Sequence, residues 1–218
     1  GVNILGLDLQ LGQMLQVLNV FVPVIKKSSV EGYQSGLLVQ SEGVDDKDTC
    51  GYAGGYAGKL IGGQIWGEND ARCKVTKLRR VDGRSYVGGF VGSSRPGSVA
   101  TLNPTAGEGL LSQLLNKLLS TPADLIKVLN ATVATIRYAD VISWDDWGFI
   151  VNGAYATGAE NTSYAKTAGG FAGMLEGTVL GEKDKKDAGI SAQNIRSIIA
   201  GEYAGGCFGV ADVAGVAN

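Results

Sequence analysis

The residues of this sequence best suited to binding a ligand are two tryptophans that flank a pair of aspartates, Trp144-Asp145-Asp146-Trp147. Tryptophan rings that are exposed beside acidic groups stack on the faces of pyranose sugars. The same cluster also suits a position in the core or at the cap of a domain. A carbohydrate-binding surface is favoured if both rings are exposed on one face with the carboxylates beside them, and disfavoured if the rings are buried against a helical segment.

The types of residue present argue against catalysis. The sequence contains no histidine, which excludes Ser-His-Asp and Cys-His catalysis, histidine-ligated zinc and HExxH metallopeptidase chemistry. Cys50, Cys73 and Cys207 show no CxxC spacing. Cys50 and Cys73 form a disulfide if the chain is secreted, or all three are buried free thiols. Pairs of acidic residues serve glycosidases, but none here lies in a recognisable motif, so we predict no enzyme.

Charge excludes two further kinds of site. Asp45-Asp46-Lys47-Asp48 and Asp145-Asp146 lack the spacing of a calcium loop and are interpreted as solvated acids. The net charge is −2, whereas nucleic-acid binders carry a basic surplus. The basic run from Lys74 to Arg80 alternates with apolar residues, which predicts the solvated face of a strand. We therefore predict no metal, no cofactor and no nucleic-acid partner.

Glycine is the unusual component of the sequence, with 34 glycines but only 4 prolines in 218 residues. Such a density is typical of tight corners and closely stacked backbone. The glycines recur in a motif that contains a Gly-Gly pair followed by a large residue. Its four copies are centred on Gly54-Gly55-Tyr56, Gly88-Gly89-Phe90, Gly169-Gly170-Phe171 and Gly205-Gly206-Cys207.

The spacing of the motifs reveals a larger repeat. Gly55 and Gly89 are 34 residues apart and Gly170 and Gly206 are 36 apart, but 81 residues separate the two pairs. An extra segment of roughly 45 residues therefore lies in the middle, and it matches the N-terminal segment at an offset of 111. This match pairs Ile25 with Ile136 and Val30 with Val141. We predict two units of the same order, 1–108 and 109–218, each with a helix, a long strand and two motifs.

The spacing of apolar residues predicts the other helices and strands. Leucines at helical spacing predict a helix over 109–119, a second is predicted over 121–130, and an N-terminal counterpart over 8–18. Thr132 to Tyr138 and Val20 to Lys26 are predicted strands, with Pro23 indicating an edge or a bulge. Phe149 to Thr157 is a predicted strand broken at Asn152-Gly153, which permits a hairpin. A Gly plus an apolar residue follows three of the motifs, at 63–65, 97–99 and 177–179.

In the Gly-Gly motif, the large residue is predicted to point inward, so that Tyr56, Phe90, Phe171 and Cys207 form a ladder through stacked strands. We predict a mainly β chain, a parallel β-helix or β-solenoid with short helical insertions. The alternative is two α+β modules with the helices packed against one side of a sheet.

The motif resembles a known bacterial repeat. Tyr155-Ala156-Thr157-Gly158, followed by Ala168 to Gly173 and then by Gly177-Thr178-Val179, is similar to the GLUG-type repeat of bacterial surface proteins. The likeness covers all four motifs, about half of the chain, but not the helical segments. It implies a solenoid-like β architecture, an exported location at the bacterial cell surface and a role as a stalk or adhesin. It transfers no catalytic residues.

The leading hypothesis is a structural or adhesive repeat segment of a large bacterial surface protein. Its expected partners are a host glycan or an extracellular protein, together with flanking repeats of the same chain. The second hypothesis is a carbohydrate-binding or polysaccharide-lyase-like β-helix that uses Trp144, Asp145, Asp146 and Trp147, and a third is a folding spacer without a ligand. We find no signal peptide and no apolar run long enough to cross a membrane, and interpret the chain as part of something longer.

Overall fold

The computed structural model describes residues 2–4, 7–9, 23–41, 51–97, 133–152, 155–156, 162–163, 166–182 and 184–212. These residues are mainly β, as predicted, and the larger sheets are parallel. They contain no α-helix, only a 3-10 turn at Lys186–Ala188. The helices predicted over 109–119 and 121–130 lie outside the described residues. The N-terminal helix predicted from Asp8 is wrong at its start, because β2 (Leu7–Leu9) is a strand that pairs antiparallel with β1 (Val2–Ile4).

Each Gly-Gly motif forms two short strands, one before and one after the turn that contains the second glycine. The strands before the turn form one parallel sheet, and those after it form another. The first sheet contains β6 (Ala53–Gly54), β10 (Tyr86–Gly88), β17 (Thr167–Gly169) and β22 (Tyr203–Gly205). The second contains β7 (Ala57–Ile61), β11 (Val91–Arg95), β18 (Ala172–Glu176) and β23 (Phe208–Asp212).

The large residues of the four motifs stack in register, as predicted. The ring centroids of Tyr56 and Phe90 are 4.5 Å apart and those of Phe90 and Phe171 are 4.8 Å apart. Phe90 and Phe171 are fully buried. The backbone N–H of each of Tyr56, Phe90 and Phe171 donates to the carbonyl of the equivalent residue in the next motif, ending at Cys207, at 2.8 Å in every case. This column of side chains forms one wall of the core.

Two further parallel sheets complete the described structure. One contains β3 (Val24–Lys26), β8 (Gln64–Trp66), β12 (Thr135–Arg137) and β19 (Val179–Leu180). The other is organised around β9 (Cys73–Asp82), which pairs along its length with two successive strands on each side. Its remaining strands are β4 (Ser29–Glu31), β5 (Leu37–Gln40), β13 (Ala139–Ser143), β14 (Phe149–Asn152), β20 (Ile190–Gln193) and β21 (Ile195–Ile199).

The pairing register confirms that positions 111 residues apart are equivalent. Ile25 and Ile136 lie on either side of Ile65, and Val30 and Val141 lie on either side of Val75. Both sheets that contain these residues therefore combine strands from before and after residue 108.

The element predicted at 97–99 lies, after its first residue, outside the described residues. The position equivalent to Gln64 is Thr135, whose N–H donates to the carbonyl of Gly63. Among the described residues, the strand that follows β11 is β12, which begins at Thr135.

Two predicted strands have different boundaries or partners. The strand predicted over 132–138 begins at Thr135 and is followed by a bend at Tyr138, after which β13 starts. The hairpin considered at Asn152-Gly153 is wrong: β14 pairs in parallel with β9 and β21. The hairpin that forms is later in the chain, between β15 (Tyr155–Ala156) and β16 (Thr162–Ser163).

A left-handed residue recurs at one corner of the seven-stranded sheet. Gly36, Gly148 and Asn194 have φ of 86°, 84° and 58° and each immediately precedes a strand, whereas Lys77, with φ of 56°, lies within β9. Glycine and asparagine adopt this conformation at little cost. At Gly148 a Cβ would also lie 2.5 Å from the carbonyl oxygen of Asn194.

Polar side chains link three strands at the other end of the seven-stranded sheet. Arg72 Nε and Nη2 donate to the carboxylate of Asp140 at 2.6 and 2.8 Å. Nη1 and Nη2 also donate to the backbone carbonyls of Asp187 and Gly189, and Ser191 donates to Asp140 at 2.8 Å. A bidentate, charge-assisted pair of this kind holds strands in a fixed register, here joining β9, β13 and β20.

Candidate functional site

The turn between β13 and β14 carries the two tryptophans and two aspartates singled out from the sequence. The backbone N–H of Trp144 donates to the carbonyl of Leu78 in β9 at 2.9 Å, which anchors the start of the turn. The Asp145 carboxylate accepts the N–H of Trp147 at 3.0 Å. Such local side-chain to backbone bonds shape turns. They hold Trp147 on the outside of the protein.

Trp144 is fixed by the neighbouring turn at residues 33–36. Its indole Nε1–H donates to the carbonyl of Gln34 at 2.7 Å. A Cβ on Gly36 would lie only 3.0 Å from the ring, so the absence of a side chain there permits the close approach. The guanidinium of Arg79 lies 5.2 Å from the ring centroid, within the range of a cation–π contact. These contacts hold the ring of Trp144 in place and leave 36% of the residue exposed.

Trp147 has the opposite environment. It is 75% exposed, and no aromatic or cationic group of the described residues lies over its ring. An indole so exposed loses hydrophobic free energy relative to a buried one. Trp147 is therefore not a core residue.

Both tryptophans line one open groove of about 500 Å³ on the outer face of the seven-stranded sheet. Its lining combines these rings with Asp145 and three arginines, Arg79, Arg80 and Arg196. Leu38 and Ile150, which flank Arg80 across paired strands, supply apolar surface. Asp146 is exposed but does not line the groove. The structure thus brings together three of the four residues predicted from the sequence.

The arginines give the groove its charge. Three arginines face one aspartate, a formal balance of +2 (3 − 1) in a chain whose net charge is −2. Arg80 is held by Asp82, with Nε 2.8 and 2.7 Å from the two carboxylate oxygens. Arg79 makes one long hydrogen bond, 3.4 Å from Nη1 to the carbonyl of Ser35. Arg196 is exposed on β21, and its side chain has no hydrogen-bond or ion-pair partner among the described residues.

The sequence identified the tryptophans but not the arginines. The run that contains Arg79 and Arg80 is a strand with a partly exposed face, as predicted. What the prediction lacked was the position of that face beside residues 144–147, because the contact joins segments more than 60 residues apart. Arg196 carries no local signal at all, being a single charged residue in an apolar strand.

Other predicted sites have no support in the structure or fall outside it. Asp45, Asp46, Asp48 and Cys50 lie outside the described residues. Cys73 is a buried free thiol and Cys207 a half-buried one; burial raises the pKa of the Cys207 thiol above its usual range. Across the described part of the chain, no group of three or more potential ligands could hold a metal ion. The described residues also include no helix of the length and apolarity that a membrane span requires.

Comparison of the chain with protein-family models, with curated proteins and with solved structures gave no match.

Proposed function

We propose that this chain is a structural or adhesive repeat segment of a bacterial surface protein, folded as a parallel β-solenoid. The observation that carries the proposal is the in-register stack of Tyr56, Phe90, Phe171 and Cys207. Equivalent residues of successive repeats lie directly above one another in all four larger parallel sheets. In such an array each repeat covers the apolar face of its neighbour, so the structure grows by addition of like units.

The space around the second glycine of each motif supports the proposal that a further repeat stacks on the fourth copy. A Cβ on Gly55, Gly89 or Gly170 would lie 2.4, 2.1 or 2.2 Å from the carbonyl oxygen of the equivalent glycine in the next copy. At Gly206 no atom of the described residues lies within 4 Å of that position. The fourth copy therefore presents a strand edge of the shape that a further copy would fit, and flanking repeats are its proposed partners.

Resistance to proteolysis tests the proposed structural role. Arg80 lies in β9, which is paired on both sides, so trypsin should cleave after it only when the sheet opens. We expect native cleavage after Arg80 to be at least about 100-fold slower than in urea-unfolded protein, as a two-state opening of about 3 kcal/mol implies. Lys186, exposed in the 3-10 turn, is the internal control and should be cleaved readily. Equal rates after Arg80 in native and unfolded protein would contradict the proposal.

A carbohydrate-binding surface is the second candidate function, and the groove beside β14 is the observation that favours it. Trp144 and Trp147 line it together with Asp145, the arrangement expected when indole rings stack on sugar faces. Among the lining residues Asp145 is the only side chain of a type that serves in general acid–base catalysis. We therefore favour binding over polysaccharide cleavage.

Calorimetric titration with a panel of soluble oligosaccharides tests this second candidate. The variant Trp147→Ala removes the exposed ring without disturbing the backbone bond to Asp145, and we expect it to weaken binding about tenfold or more. Tyr203→Ala, which removes a 55% exposed ring on a different sheet, should leave affinity unchanged. A panel without a single ligand, or equal binding by both variants, would remove the groove from consideration as a sugar site.

A further inference from the structure

We infer that the groove selects acidic glycans, with the carboxylate of a uronic acid held by Arg196 and Arg79 while Trp147 stacks on a sugar ring. This inference rests on the second candidate function, the carbohydrate-binding surface. It adds the chemical class of the sugar, which neither the tryptophans nor the repeat determines.

The electrostatic balance of the groove favours an anion. Asp82 compensates Arg80 through two short hydrogen bonds, which leaves Arg79 and Arg196 against Asp145. Asp145 already accepts the N–H of Trp147, so part of its hydrogen-bonding capacity is used inside the turn. A surplus of guanidinium groups in a concave surface attracts carboxylates even when the protein as a whole is acidic.

The two arginines are suited to hold a carboxylate in different ways. The guanidinium carbon of Arg79 lies 5.2 Å from the ring centroid of Trp144, and its one side-chain hydrogen bond to described residues is 3.4 Å long, through Nη1. Its remaining N–H groups can donate, and little side-chain freedom is lost on binding because the ring already orients the guanidinium. Arg196, exposed and without a partner in the described part of the chain, offers the planar fork that binds carboxylates with two hydrogen bonds.

The exposed ring of Trp147 favours a glycan over an acidic peptide as the ligand. The indole of Trp147, which is 75% exposed, presents a flat apolar surface of the size of a pyranose ring. An acidic peptide would use the arginines but would gain nothing specific from this ring. We therefore argue for a sugar that carries a carboxylate rather than for charge alone.

The experiment compares oligogalacturonate and oligomannuronate with their methyl esters, which have the same ring shape without the charge. We expect calorimetry to show at least one acid form binding ten times or more tightly than its ester, with affinity falling as salt is raised. Arg196→Gln should reduce the preference for the acid form about five- to tenfold and leave ester binding unchanged. Arg95→Gln, an exposed arginine of β11 on another sheet, is the matched control and should have no effect.

Three results would overturn the inference, and they separate its failure from that of the second candidate function. Equal affinity for acid and ester would refute acidic selectivity while leaving a sugar-binding surface. Binding of neither form, nor of any neutral oligosaccharide, would refute both. Binding of tetraglutamate as tightly as the acidic glycan would show that the groove recognises charge without the sugar.

Discussion

Gly89→Ala should destabilise the protein by about 3 kcal/mol or leave it unable to fold, because the added methyl group would collide with backbone. The Cβ would lie 2.1 Å from the carbonyl oxygen of Gly170 and 3.0 Å from the ring of Phe149. This carbonyl lies in the turn of the next motif, and the hydrogen bonds that the carbonyls of Gly169 and Phe171 accept on either side of it keep it from moving away. Chemical denaturation followed by circular dichroism measures the loss as a shift of the midpoint.

Gly206→Ala is the matched control, since it is the same position of the same motif in the fourth copy. No described atom lies within 4 Å of its Cβ position, and its φ is not in the left-handed range. We expect stability within about 1 kcal/mol of the parent, with a small gain from the reduced freedom of the unfolded chain. If Gly89→Ala and Gly206→Ala had the same midpoint, the close stacking of strands at Gly89 would be refuted.

Phe90→Ala should cost about 3 to 5 kcal/mol, as for other fully buried phenylalanines. Phe90 is the middle ring of a three-ring stack, parallel to within 10° of Tyr56 and 5° of Phe171. Its removal leaves a cavity bounded by two rings that the paired backbone holds apart, so collapse cannot fill it. Denaturation midpoints of parent and variant give the difference.

Two other variants separate the contributions at this position. Phe90→Leu keeps most of the volume but loses the ring stacking, and should cost about 1 to 2 kcal/mol. Tyr203→Ala removes an aromatic ring that is 55% exposed and should change stability by less than about 0.5 kcal/mol. A loss below 1 kcal/mol for Phe90→Ala would mean that the ladder does not form the core.

The internal repeats of the sequence predict much of this fold. Parallel pairing of like segments places equivalent residues side by side, so a sequence offset becomes a strand register. This is why Ile25 and Ile136 flank Ile65, and why the inward ladder of Tyr56, Phe90 and Phe171 could be predicted.

Local signals failed where a distant partner decided the outcome. Asn152-Gly153 is a strong hairpin signal, yet β14 pairs with β9 and β21, which lie far along the chain in either direction. Pairing between distant segments also builds the sheet around β8, whose two neighbours are Val24–Lys26 and Thr135–Arg137.

The sequence by itself therefore determined that this chain is a glycine-rich β repeat without histidine chemistry, and which large residues meet inside it. Only the tertiary structure decided the candidate site. The cation–π contact of Arg79 with Trp144 and the placement of Arg196 in the same groove bring together segments that are remote in sequence. The exposure of Trp147 depends on how those segments pack. The physical reason is that a repeat specifies its own neighbours through identical pairing, whereas a surface groove depends on residues at non-equivalent positions that no periodicity relates.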